Sequence, residues 1–120
     1  TGGFVVVDYI PELVAALDTI LPTHPEPGIS SETNVPCITY RETNYTDTAV
    51  GDTLGYIEVT VTLKVWANRR ETAQEYAGKV SEVMRRIGYK RTGGGELSAA
   101  GRHCTVMIYT ATMAERWKGE

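Results

Sequence analysis

Few side chains in this sequence are suited to nucleophilic or metal chemistry: two histidines and two cysteines, among 120 residues. His24 lies in a proline-rich stretch. His103 is the neighbour of Cys104 in a strand-like run, where adjacent side chains face opposite ways and cannot act together. A dyad of Cys37 and His103 is open to a fold that brings their strands side by side. The surroundings favour an interior thiol and a surface imidazole. Zinc needs four ligands, or three and a water, in tetrahedral array, and neither a C-x-x-C nor an H-x-x-x-H spacing occurs. Asp47, Asp52 and Glu58 lack the spacing of a calcium loop. The glycines at 93–95 invite a phosphate-cradle reading, but that loop follows a strand and opens a helix, whereas these lead to Glu96. The expectation is a chain with no catalytic residues, no metal and no cofactor.

Charge is the more informative signal. Residues 1–58 hold nine acidic side chains and one basic, and residues 59–120 hold eleven basic and six acidic, so the halves carry −8 and +5 around a net −3. Arg69-Arg70, Arg85-Arg86 and Lys90-Arg91 bracket one predicted helix. Such a tract can contact phosphates, with Tyr76 and Tyr89 nearby for stacking, but the overall charge is acidic. A solvated helix end explains Arg85 and Arg86 without any ligand. A third reading suits the asymmetry: these cations meet Asp47 and Asp52 of a neighbouring copy, in head-to-tail association.

The elements that must carry these groups follow from periodicity. Ile10, Leu13, Val14, Leu17 and Leu21 predict a helix over 8–21, with Asp8 as N-cap, Pro11 and Glu12 in the first turn and Pro22 as its stop. Four of the five prolines fall in 22–36, an irregular connection. A strand is predicted over 36–42. Residues 43–55, rich in Asn, Thr, Asp and Gly, predict a long, mobile hairpin loop that orders on assembly. Over 56–67, Ile57, Val59, Val61, Leu63 and Val65 alternate with Glu58, Thr60, Thr62, Lys64 and Trp66, a strand with one core face and one wet face. Asn68 and Glu71 form a capping-box pattern before a helix with Ala73, Tyr76, Ala77, Val80, Val83, Met84 and Ile87 on its buried stripe, ended by Gly88. A short strand from Tyr89, loosened at the triple glycine, and a final strand over 102–113, apolar on Cys104, Val106 and Ile108, complete the order α-β-β-α-β-β.

The resulting expectation is an α+β domain spanning 1–120, with a four-stranded, mainly antiparallel sheet and two helices on one face. Length suits one core, and 42% hydrophobic with 22% charged residues excludes wholesale disorder. The longest apolar run, 4–7, is far too short to span a bilayer and, with no basic residue before it, makes a poor signal peptide. Thr1-Gly2-Gly3, with no Met, is expected to be a processed start or an expression scar. Two interior cysteines favour a reducing compartment.

The N-terminal amphipathic helix, the Pro-rich connection, VPCITYRE, the polar arm, GYIEVTVTLKVWANRRETAQEYAGKVSEVMRRIGYKR and the closing HCTVMIYTATM together resemble the small tail-completion or tail-terminator proteins of long-tailed bacteriophages. The most telling stretch runs from the alternating strand ending in Val65-Trp66-Ala67, through Asn68, into a helix whose Ala73 and Ala77 permit close packing. The resemblance implies a virion structural protein, assembled in the bacterial host cytoplasm and placed at the head-proximal end of the tail. It implies a homo-oligomeric ring, typically a hexamer, that contacts the tail tube protein and the head-tail connector proteins. In such rings the sheet lines a channel through which DNA passes without specific binding. The lumen-facing positions are then Glu58, Thr60, Thr62 and Lys64, and the subunit-interface positions Asp47, Asp52, Arg69, Arg70, Arg85, Arg86, Lys90 and Arg91. Two other readings compete: a ferredoxin-like module binding a small ligand or nucleic acid through residues 85–91, and a minor enzyme centred on His103 and Cys37.

Overall fold

A computed structural model describes residues 3–5, 9–26, 34–50, 53–114 and 116–118. Their elements are β1 (Gly3–Val5), α1 (Ile10–Asp18), β2 (Thr23–Pro25), β3 (Cys37–Val50), β4 (Thr53–Ala67), α2 (Arg70–Arg86), β5 (Lys90–Ala99), β6 (Arg102–Ala114) and β7 (Arg116–Lys118). The architecture is α+β, with a five-stranded sheet in the order β2-β3-β4-β6-β5 and a two-stranded ribbon of β1 and β7. Four strands were expected. The additional edge strand β2 runs parallel to β3, pairing Thr23 with Ile38 and Pro25 with Tyr40. Three residues are too few to show a period of two, and proline is tolerated at a sheet edge because no ladder donor is needed there.

β4 lies at the centre, antiparallel to both β3 and β6, and its alternation organises the core. Val59, Val61, Leu63 and Val65 are fully buried and pack with Leu13 and Leu17 of α1 and Val80 and Met84 of α2. Both helices therefore cover one face of the sheet, here the helix face. Each of these fully buried side chains contributes about 1.5–3 kcal/mol of apolar transfer energy.

The helices differ from expectation at their ends. α1 stops at Asp18 instead of Leu21, and Asp18 Oδ1 accepts the Thr23 N–H at 2.9 Å, which turns the chain into β2. Its N-cap is Tyr9, whose hydroxyl donates to Glu42 Oε2; Asp8 lies outside the described residues. α2 is capped by Arg69 without a side-chain bond, because the Asn68 Oδ1 that would cap it accepts Arg102 Nη1 at 2.8 Å. Its C-terminus does follow the glycine signal. Gly88 has φ +95, and the Gly88 and Tyr89 N–H groups return to the carbonyls of Arg85 and Met84, closing a Schellman motif.

Three further expectations give way. The segment 43–55, predicted as a loop, is mostly sheet: β3 continues to Val50, β4 begins at Thr53, and the two stay paired out to Val50 opposite Thr53, across register shifts between Glu42 and Asn44 and between Thr48 and Val50. Polarity suggested a loop, but threonine and tyrosine are good strand formers. The triple glycine lies inside β5 and pairs with Ile108, Met107 and Val106, after a bulge at Thr92. β5 joins β6 through Ala100 (φ 53) and Gly101 (φ 72), a two-residue turn of the primed type that matches strand twist. Finally, β6 presents Met107, Tyr109 and Ala111 to the helices, while Cys104 and Val106 face away. Both faces of that strand are apolar, so periodicity alone could not choose between them.

Candidate functional site

The far face of the sheet, away from the helices, is dry at one end and polar at the other. At the β2 end, Trp66 sits between Cys37 on β3 and Cys104 on β6, with Val35 and Val106 packed against them. The indole Nε1–H donates to Thr39 Oγ1 at 3.0 Å, and Thr39 is buried. Lys64 projects beside this cluster and pairs with Glu26 at 2.9 Å, while Arg41 approaches the same carboxylate at 3.8 Å. Thr62 is only 8% exposed. Of the predicted lumen-facing residues, Thr62 and Lys64 thus lie on a covered part of a face expected to be wet. Glu26, at the end of β2, holds Lys64, and Val35 packs on the adjacent Trp66 cluster.

The opposite end of that face is a threonine lane. Glu58 and Thr112 are exposed, and Thr60, Thr110 and Thr92 form a row across β4, β6 and β5, with hydroxyl separations of 3.3 and 3.5 Å. Thr110 and Thr92 were missed by sequence reasoning, since only cross-strand register aligns them with Thr60.

No catalytic pair is assembled from the candidate reactive groups. His103 lies opposite Ala67 on the helix face and Cys37 opposite Trp66 on the far face, so the sheet separates them. Burial pushes the Cys104 thiol up to about 12, and burial also raises that of Cys37. Both are poor nucleophiles as a result. His24 is exposed. Among the described residues no group of His, Cys, Asp and Glu could hold a metal ion, and no helix is long and apolar enough to cross a membrane.

The predicted cations divide into two sets. Arg70 is engaged within the chain: its Nε and Nη2 donate to the Glu96 carboxylate at 2.8 and 3.1 Å. Gln74 and His103 reach the same Oε1 at 3.3 and 3.4 Å, so Glu96 ties the β5–β6 hairpin to the start of α2. The hydrogen bonds from Arg70 and then His103 hold the Glu96 carboxyl down at about 2. Nothing in the sequence marks Glu96 for this role, because its partners are 26, 22 and 7 residues away. Arg86 pairs with Glu82 one helical turn back at 3.4 Å. Arg69 is exposed at the mouth of α2.

Arg85, Lys90 and Arg91 form the second set. They are exposed, and no carboxylate pairs with any of them among the described residues. They rim a groove of about 340 Å3 between α2 and β5, whose floor is Tyr89 and Tyr109. A second groove of about 500 Å3 continues along the same seam past Gln74, Ala77, Gly94 and Thr105. Glycine keeps that seam open: a Cβ on Gly94 would lie 2.5 Å from the Val106 carbonyl oxygen and 2.6 Å from the Arg91 guanidinium. Asp47 belongs to β3, opposite Ile57, and Asp52 lies outside the described residues.

No protein-family model matches the chain, and no curated protein matches it significantly.

Proposed function

We propose that this chain is a non-enzymatic, ring-forming structural subunit of a bacteriophage tail, of the tail-terminator or tail-completion kind, located in the virion at the head-proximal end of the tail tube. The observation that carries the reading is the one-sided sheet. Both helices cover one face, and the other ends in an open lane of Glu58, Thr60, Thr110 and Thr112. A ring with helices outward would turn that lane to its lumen. Threonine hydroxyls and one carboxylate dominate the lane, Lys64 of β4 is occupied by Glu26, and Lys90, in register with Thr110 at the β5 edge, is a single flanking cation, so the wall would hold nucleic acid weakly and let it slide past. The buried, unreactive thiols and the dispersed histidines agree with a structural role. The tail tube protein and the head-tail connector proteins are the partners proposed above and below the ring.

Light scattering across concentration and salt tests this directly. The reading predicts an oligomer of several copies at low salt that dissociates as salt rises. A stable monomer at high concentration and low salt would overturn it. A second reading, a small-ligand or nucleic-acid-binding module, is favoured by one observation: the cluster of Arg85, Lys90 and Arg91, which no carboxylate pairs among the described residues. It predicts a monomer that binds a polyanion.

A further inference from the structure

The two edges of the five-stranded sheet are open and opposite in charge. β5 forms one edge and is exposed along nearly its whole length, with no strand on its outer side among the described residues. It carries Lys90 and Arg91, has Arg85 of α2 beside it, holds one acid, Glu96, which Arg70 neutralises within the chain, and ends near Leu97, the exposed large hydrophobic residue among those described. At the other edge β2 covers β3 only opposite Ile38–Tyr40. From Glu42 to Val50, β3 pairs with β4 alone among the described residues, and that stretch contains Glu42 and Asp47 but no basic residue.

Direction and facing agree as well. Each of the steps from β3 to β4, β6 and β5 is antiparallel, so β3 and β5 run in opposite senses. Glu42 is in register with Val61, and Val61 with Tyr109, which pairs with Arg91; all are helix-face positions. The backbone register puts Asp47, opposite Ile57, on that same face.

We infer that the sheet continues from one copy to the next: the Glu42–Val50 edge of β3 in a second copy adds antiparallel to the β5 edge, and its Asp47 meets Arg91 and Arg85 at the α2 groove. Main-chain bonds supply affinity and the charges set register and partner. The contact joins unlike patches, so each copy uses both edges and a closed ring leaves neither exposed.

This inference rests on the ring reading and names its interface. The test is charge reversal at both edges, Arg91→Glu and Asp47→Arg, with mass read by light scattering. Each single variant is expected to need at least tenfold more protein to assemble. Mixing the two single-variant preparations, or combining both changes in one chain, is expected to restore assembly, because each reversed charge then faces its opposite; recovery on mixing also shows that both variants fold. If wild type and both single variants assemble alike, or if the singles fail and neither mixing nor combination restores them, the edge contact is wrong while the ring reading stands. A wild type that stays monomeric removes both.

Discussion

Replacing Trp66 by phenylalanine probes the covered end of the far face. The indole is 5% exposed and its N–H is bound to Thr39 Oγ1, itself 2% exposed. Losing the donor leaves a buried hydroxyl unpaired, at a cost of about 1–3 kcal/mol. Shrinking the ring between Cys37 and Cys104 leaves a void that adds roughly 1 kcal/mol. The sum, about 2–4 kcal/mol, is a large share of the roughly 5–15 kcal/mol that holds a domain folded. Unfolding entropy near 2.1 cal/mol/K per residue gives about 0.25 kcal/mol/K for a chain of 120 residues, so Tm should fall by about 8–16 °C. Differential scanning calorimetry of wild type, Trp66→Phe, Thr39→Val and the double variant measures it. The double variant should lose less than the two singles together, since it removes donor and acceptor at once. A Trp66→Phe shift under 2 °C would refute the reasoning, because it would mean that water already reaches this end of the sheet.

Glu96 gives a pH-dependent prediction. Its carboxyl titrates at about 2 in the fold, against an ordinary 4.5, so the stabilisation from Arg70 and His103 is fully present above that ordinary value and is lost as pH falls towards 2. Glu96→Gln should be less stable than wild type at neutral pH and converge with it in acid; parallel stability curves would exclude the clamp. At the β5–β6 turn, Ala100 holds φ 53, where a Cβ is strained. Ala100→Gly should stabilise by about 0.5–1 kcal/mol, raising Tm by about 2–4 °C, and a drop in Tm would contradict the primed turn.

How much of this was legible depended on whether an element had a core face. Residues 56–67 and the α2 stripe announced themselves because apolar side chains recur at the period of a strand or a helix against mostly polar ones, even though Thr62 and Trp66 on the far side of β4 are buried too. The polar half of the β3–β4 hairpin, β2 and the glycine-bearing β5 were hidden because their short, polar or glycine-rich sequences show no alternation, and backbone pairing leaves no trace in composition. β6 misled because Cys104 and Val106 find a second small cluster behind the sheet, so both of its faces are apolar. The cations near α2 were visible as a tract, but only tertiary contacts divide Arg70, bound to Glu96, from Arg85, Lys90 and Arg91.

Electron microscopy of the purified wild-type protein bears most directly on the central proposal. Annular particles of uniform diameter with an open centre are the predicted result. A field of single small particles, at a concentration and ionic strength where oppositely charged edges should meet, would contradict it.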